Sequence, residues 1–351
     1  MLVESQTLHW DHPNIKGPEL LELLRTSVPQ SLGGVIPVTA TVLTLGLYVK
    51  GIPTTDWIGF AGKIARVHPA RVLIINPISA DGDDTSTQVD AQLSATITYR
   101  RPNDPPILFS ECVQMNLKGG LANHWIDLVQ SLIKSDLPAY LLWLGVPPLP
   151  GFRWDLLSTG FTHLVIDTEQ TGLGPWKTAI LTGKPLGMVV DDLYWQRLGL
   201  WRAHWANLTD YPEGLRTLTH PDKIVIEWPV SKSTGWRLLV GWLMDRLHWQ
   251  VADVEPTYMT ITTEHGQIIP IEIHNADDPS FSFYHGPYIL SSQEVEDELQ
   301  SKLHQGSEVL YEMVDPCNIA DPVTDVVKLL NRGHDQLFDQ ALTALILNER
   351  V

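Results

Sequence analysis

Two cysteines in 351 residues, Cys112 and Cys317, are too few for a disulfide framework or a thiolate metal quartet. Their scarcity fits a reducing compartment, so a cytoplasmic location is expected. Positive charge is scarce too: 24 Lys and Arg against 41 Asp and Glu leave a net charge of −17. Phosphate backbones and anionic bilayers repel such a chain, which excludes nucleic acid and membrane surfaces as partners. No apolar run approaches the ~20 residues of a membrane span. The strongest is the short stretch Ala139-Tyr-Leu-Leu-Trp-Leu-Gly-Val146. Residues 1–14 carry Glu4, His9, Asp11 and His12 and no apolar core, so no secretory signal is expected there.

Catalytic signatures are missing as well. No G-x-G-x-x-G follows a strand, and Gly172-Leu-Gly174 lacks the third glycine. Gly183-Lys184 has Thr178 in place of the first glycine of a phosphate loop, and Pro185 where a metal-binding hydroxyl belongs. There is no G-x-S-x-G elbow and no H-E-x-x-H helix. Ser131-Leu-Ile-Lys134 sits within an amphipathic helical stretch, and His9-x-x-His12 lies in a polar terminus without carboxylate or thiolate company. No catalytic residue, metal or cofactor is expected.

What the chain does have is a globular balance of 44% apolar and 19% charged residues, and length enough for two cores. A helix is expected at 19–27 and a β-branched strand at 38–50. A helix capped by Thr55 or Asp56 follows, with Trp57, Phe60, Ala61, Ile64 and Val67 on one face; His68-Pro69 stops it before an apolar strand at 71–77. That order reads as a βαβ unit. Alternation at 88–99 and 107–117 around Arg101-Pro-Asn-Asp-Pro-Pro106 predicts a hairpin, its second apolar face being Ile107, Phe109, Val113, Met115 and Leu117. A helix after Gly119-Gly120, with Leu121, Trp125, Leu128 and Leu132 on one stripe, leads to strands at 141–144 and 163–166.

The Gly, Pro and Thr-rich stretch 168–187 is read as a loop, dividing the chain into domains at 1–180 and 181–351. In the second half, helices are expected at 191–208 and 234–248, and strands at 223–228, 258–263, 267–274 and 281–284. The end is read as helical, at 293–303, 322–330 and 333–347, with Pro322 at a first helical position. The fold class is mixed α/β: two α/β domains with mixed sheets flanked by helices and a helical C-terminus.

Tryptophan is abundant, with seven of 13 falling between Trp195 and Trp249. On a single helix over 191–208, Tyr194, Leu198, Trp201, Trp205 and Leu208 share a stripe and are expected inward. Trp195 and Arg202 lie seven apart and off that stripe; with Arg197 they are the candidate interface, since Trp and Arg dominate binding energies. Trp236, Leu239, Val240, Leu243 and Leu247 form a second inward stripe, and Gly241 there predicts close packing.

These landmarks resemble a known family. Residues 41–49, then Arg66-Val-His-Pro-Ala-Arg71 with Val-Leu-Ile-Ile75, look like the N-terminal signature of the OpcA family of glucose-6-phosphate dehydrogenase assembly proteins. Leu137-Pro-Ala-Tyr-Leu-Leu-Trp-Leu144, Asp192-Leu-Tyr-Trp-Gln-Arg-Leu-Gly-Leu-Trp-Arg202 and Thr234-Gly-Trp-Arg-Leu-Leu-Val-Gly-Trp-Leu243 extend the likeness, as does 294–303 followed by Val309-Leu-Tyr311. His68, Pro69, Arg71, Trp201, Trp236 and Arg237 are the residues that carry these motifs. The resemblance implies a non-catalytic partner that assembles and allosterically activates glucose-6-phosphate dehydrogenase. It further implies, for the photosynthetic branch, thiol control through thioredoxin; Cys112 and Cys317 would be the thiols concerned, though neither stands in a C-x-x-C context.

A reading from another class stands beside it. Arg71 and Arg237 could hold phosphate, Arg237 from the first turn of a helix, giving a sugar-phosphate or nucleotide-using enzyme with its site around His68, Arg71 and Arg237.

Overall fold

The structure is a computed structural model that describes residues 4–52, 56–78, 88–101, 104–145, 147–148, 151–255, 257–317 and 321–347. The chain divides into two compact units: 1–167 with 174–191 and 326–330, and 168–173 with 192–325 and 331–351.

The first unit is built on a nine-stranded sheet. Its elements are β1 (Glu4–Lys16), α1 (Gly17–Ser31), β2 (Val38–Thr39), β3 (Leu43–Tyr48), α2 (Trp57–Ala65), β4 (Ala70–Pro77), β5 (Gln88–Tyr99) and β6 (Ile107–Leu117). They continue with α3 (Gly120–Asn123), α4 (Trp125–Gln130), β7 (Ala139–Trp143), α5 (Trp154–Ser158) and β8 (His163–Ile166). After α6 (Thr168–Thr171), which belongs to the second unit, come α7 (Gly174–Gly183) and β9 (Val189–Asp192). The strand order is β1-β5-β6-β4-β3-β7-β8-β9, with β2 pairing β6. β6, β4, β3, β7 and β8 run parallel, as continuous apolar runs covered on both faces should. The antiparallel hairpin β5–β6 and the edge strand β1 extend the sheet.

Local chemistry explains several boundaries. Asp56, rather than Thr55, which lies outside the described residues, caps α2 by accepting the Gly59 N–H at 2.7 Å. Ala61, Ile64 and Ala65 form its buried face, and Val67 falls beyond the helix end and is exposed. The helix expected from Gly119 breaks at His124 into α3 and α4. In β6 the inward phase differs from the alternation. Leu108 is buried while Ile107 and Phe109 are half-exposed. The cause is a bulge opposite Thr96 and Ile97, which inserts one residue and flips the phase between Leu108 and Val113. The stretch read as a loop at 168–187 is instead helical, as α6 and α7.

The second unit holds α8 (Leu193–Arg197), α9 (Gly199–Leu208), α10 (Pro212–Thr219), β10 (Lys223–Trp228), α11 (Thr234–Leu247), β11 (Gln250–Glu255), β12 (Tyr258–Thr262) and β13 (Ile268–Asn275). It continues with β14 (Ser280–His285), β15 (Tyr288–Val295), β16 (Glu298–Gln305), β17 (Glu308–Pro316), α12 (Pro322–Arg332) and α13 (Gln336–Leu347). The eight-stranded sheet has the order β11-β12-β13-β10-β14-β15-β16-β17, antiparallel except between β10 and β13. One face buries Ile224, Ile226, Phe281, Phe283, Leu290, Leu299 and Leu303. Trp201 and Trp205 of α9 pack onto Phe281 at 6.0 and 5.1 Å between ring centroids. Gly241 of α11 fulfils its expectation: a Cβ there would lie 2.7 Å from the Ala341 carbonyl oxygen of α13.

One expected helix is a hairpin. Residues 293–303 fall on β15 and β16, where Leu299, Ser301 and Leu303 point inward with period two. Glu296 and Asp297 both take left-handed φ, 50° and 66°, the two-residue turn that matches strand twist. The acidic pair is turn chemistry, not a helix face.

Candidate functional site

In the first unit the order β6-β4-β3-β7-β8-β9 reverses direction between β3 and β7. In open parallel sheets, dinucleotides bind in the crevice outside the carboxyl ends at that reversal. Here the crevice is a cavity of about 340 Å³ lined by Tyr48, Lys50, Trp125, Trp143, Pro148 and Phe152, without a glycine-rich turn. The Leu144 and Gly145 N–H groups both donate to the Tyr48 carbonyl, at 3.0 and 3.2 Å. A Cβ on Gly145 would lie 2.3 Å from the Lys50 oxygen, so the two strand ends lie close together. Tyr48 packs on Trp143 and Trp125 at 4.1 and 5.1 Å, and Phe152 and Trp154 continue the aromatic cluster. The helix that follows β3 has its N-terminal donors opposed by the Asp56 carboxylate, a negative charge where a phosphate would sit.

The residues of the enzymatic reading have structural work. The His68 N–H closes the end of α2 onto Ile64, and the Pro69 carbonyl accepts the Val42 N–H. Arg71 donates Nε–H to Glu111 at 2.8 Å and Nη1–H to the Leu132 carbonyl at 2.9 Å. Burial makes that pair expensive to open, so Arg71 is not free for phosphate. Arg237 belongs to the other unit, where its guanidinium lies 5.2 Å over the Trp236 ring and burial lowers its pKa. Within neither unit does a phosphate site form from these residues.

The expected interface is interior. Asp192 ends β9 and caps α8, accepting the Tyr194 N–H at 3.1 Å and bonds from both the N–H and hydroxyl of Thr168. The helix then breaks at Leu198, so α8 and α9 do not share one helical wheel. Trp195 is fully buried, its indole N–H donating to Asp335 at 2.7 Å and its ring against Phe338. Arg202 stacks over Trp195 at 3.5 Å. Arg197 forks between two carboxylates, Nε to Asp325 at 2.8 Å and Nη1 to Glu169 at 2.6 Å. Partners well over a hundred positions downstream fill the side that periodicity left open. Trp201 and Trp205 point inward as expected, donating to Glu294 and Ser292.

Sequence reading also missed a chain of hydrogen bonds that runs inward from exposed Asp315: Asp315 to His204 Nε2, His204 Nδ1 to Ser301, Ser301 to Ser292, each within 2.9 Å. It has the composition of a hydrolytic triad. Both serines are fully buried on sheet strands, so no substrate carbonyl reaches them. Its members lie about a hundred positions apart and leave no local signal.

One thiol is buried and the other is half-exposed. Cys112 is buried on β6, and its pKa is pushed up to about 12 by that burial. Cys317 reaches about 12 through burial and the neighbouring Glu294, Asp297 and Glu298 carboxylates. Both stay protonated at neutral pH, and the thiolate is the reactive form. Native protein should therefore react with a thiol-specific disulfide reagent at least tenfold more slowly than urea-unfolded protein. Equal rates would show that folding does not suppress the thiolate at either.

Among the described residues there is no cluster that could hold a metal, and no helix long and apolar enough to cross a membrane. Comparison with known proteins gives the family. Residues 61–172 match the glucose-6-phosphate dehydrogenase subunit N-terminal domain, and residues 188–345 match its C-terminal domain. The OxPP cycle protein OpcA of Nostoc punctiforme is 24% identical over 195 residues, covering 54% of this chain and 40% of that protein. Its namesake in Synechococcus elongatus is 24% identical over 192 residues, covering 53% and 41%. The chain thus matches about two fifths of the length of these relatives. Among solved structures, KijD10, a 3-ketoreductase from Actinomadura kijaniata, covers 89% of this chain and 97% of its own at 10% identity and a TM-score of 0.48. The UDP-N-acetylglucosamine 3-dehydrogenase GnnA from Acidithiobacillus ferrooxidans covers 87% and 98% at 9% identity and a TM-score of 0.41. With both domains matched in order along its length, the chain belongs to the OpcA family of glucose-6-phosphate dehydrogenase assembly proteins.

Proposed function

We propose that this chain is a non-catalytic cytoplasmic subunit that binds glucose-6-phosphate dehydrogenase directly and activates it. The match of both halves to domains of a glucose-6-phosphate dehydrogenase subunit carries this reading. The chemistry of the crevice supports it: the sheet has the strand order of a dinucleotide binder but no glycine-rich turn, and Asp56 puts a negative charge on the helix N-terminus. Burial of Cys112 and the carboxylates beside half-exposed Cys317 disfavour a thiolate at either, which favours thioredoxin acting on the dehydrogenase rather than on this chain.

The contact surface we assign is the face of the eight-stranded sheet turned away from its helices. Val225, Glu272, Ser282, Tyr284, Ser291 and Lys302 are half-exposed there on neighbouring strands. Lys223 pairs with Glu272 at 2.8 Å and Lys302 with Glu312 at 2.9 Å, while Glu227, Asp253, Glu255 and Glu298 on the same face are left over. The face is therefore acidic, like the chain as a whole, and fits a partner that presents a basic patch. Eight strands about 4.8 Å apart, each showing about five residues at about 3.3 Å, offer roughly 600–700 Å². A stable interface uses about 800 Å² per partner, so the face supplies most of one.

Purified chain and dehydrogenase from the same cell should co-elute, and the complex should need less glucose-6-phosphate for half-saturation. By linkage, the chain should then bind more tightly when substrate is present. Ser291→Arg should weaken the complex about tenfold, roughly 1.4 kcal/mol, at an unchanged melting temperature. Failure to co-elute would overturn the function. Co-elution that Ser291→Arg leaves intact would overturn only the face. The chain alone should show no saturable nicotinamide binding by calorimetry.

A further inference from the structure

A cavity of about 230 Å³ opens in the second unit, lined by Glu169, Tyr194, Arg197, Trp201, Lys232 and Glu294 among others. That is the room of roughly eight waters at about 30 Å³ each. The charges in its floor are spent on one another. Arg197 is forked between Glu169 and Asp325, and the second oxygen of Glu169 takes Lys232 Nζ at 2.7 Å. Two cations and two carboxylates cancel, and Arg197 cannot turn to a ligand without leaving two buried carboxylates unpaired.

Two groups retain bonding capacity. Glu294 accepts the Trp201 indole N–H at 3.0 Å through Oε1, and burial raises its pKa. Its second oxygen is an open acceptor, and in the protonated form a donor. Lys232 is half-exposed and uses one of its three N–H donors on Glu169. Lys232 also lies close enough to Glu294 to act on its titration.

We propose that this cavity binds a small uncharged polyol of about hexose size, its hydroxyls bridging Glu294 and Lys232. A hydroxyl donates and accepts at once, so one diol satisfies a carboxyl and an ammonium side by side. An anion meets Glu294 and Asp297 with both nearby cations already paired to Glu169 and Asp325, and a cation meets Lys232. An apolar ligand would cover Glu294 without a partner, which is costly. The chemistry left is neutral and hydroxyl-rich.

The test uses the full chain by itself, so its outcome is separate from dehydrogenase binding. Saturation-transfer NMR and calorimetry with myo-inositol, D-glucose and glycerol should show saturable binding of the two six-carbon polyols at about 1 mM or tighter. Glycerol should bind at least tenfold more weakly, and glucose 6-phosphate more weakly than glucose. Lys232→Met and Glu294→Gln should each weaken polyol binding several-fold at an unchanged melting temperature. Glu294→Gln keeps an oxygen for the Trp201 N–H, so loss of affinity there reports the ligand rather than the fold. No saturable binding by any polyol overturns the proposal. Tighter binding of the phosphate ester overturns the ligand class, and undiminished binding by both variants overturns the location.

Discussion

Replacing Trp205 by alanine should lower the unfolding free energy by about 3–5 kcal/mol, the cost of truncating a large core aromatic. The ring is fully buried, with Trp201, Trp242, Phe281 and Phe283 at 6.0, 6.1, 5.1 and 5.2 Å. Such rigid neighbours from α9, α11 and the sheet close poorly over a void, so the cavity term stays large. The indole N–H also donates to Ser292 at 2.9 Å, at the head of the chain of hydrogen bonds that runs through Ser301 and His204 to Asp315. Truncation removes that donor from a site water does not reach, adding about 1–3 kcal/mol of unpaired polar group. Trp205→Phe separates the two effects, keeping most of the packing and losing the hydrogen bond. Trp195→Ala should fall in the same range, because its ring is buried against Phe338 and its N–H serves Asp335. The comparison is Tyr258→Ala on the exposed face, expected within about 0.5 kcal/mol of the parent. Urea unfolding followed by circular dichroism decides it: a Trp205→Ala midpoint equal to that of Tyr258→Ala would mean this aromatic cluster does not hold the second unit together.

Sequence reading gives Trp195 and Trp205 opposite roles, interface and core, whereas the structure buries both, and the difference shows where such reading stops. Periodicity places residues on faces of a helix, and it located α2, α11 and the stripe of Trp201 and Trp205. Turn chemistry was legible too: Glu264-His-Gly266 joins β12 to β13, with Gly266 at φ 79°. Continuous apolar runs gave the parallel strands β3, β4, β7 and β8. What covers the other face of a helix depends on distant chain, and Trp195 meets a residue 140 positions away. The break at Leu198 is followed at once by Gly199, a local breaker signal that the stripe of Tyr194, Leu198, Trp201 and Trp205 outweighs in reading the stretch as one helix. Charge misled at 293–303, where acidic residues resemble a solvated helix face but a two-residue turn at Glu296 and Asp297 sets a period of two. The missing glycine fingerprint was visible in sequence. That the sheet nonetheless takes the nucleotide-binding order, with Tyr48 and Trp143 lining its crevice, is a property of pairing that only three dimensions supply.

Arg197→Met should cost about 3–5 kcal/mol, the range for breaking a buried ion pair by removing one partner. Arg197, Glu169 and Asp325 keep only 8%, 10% and 3% of their side-chain surface, so water cannot replace the lost guanidinium. Glu169 retains Lys232 on its other oxygen, and Asp325 sits in the first turn of α12, whose dipole favours a negative charge by about 0.3–1 kcal/mol. Each carboxylate loses the guanidinium, so adding Asp325→Asn or Glu169→Gln to Arg197→Met should recover part of the stability. Arg197→Lys keeps the charge but cannot reach two acceptors in a fixed plane, so it should fall between parent and Met. Replacing all three residues, as Glu169→Gln, Arg197→Met and Asp325→Asn, removes every charge of the fork and should return close to the parent, since a buried pair rarely adds much over a neutral substitute. A thermodynamic cycle across these variants reads the coupling directly. Additive losses, with no recovery on removing Asp325, would mean that the fork is held in place by the surrounding core and contributes no stability of its own.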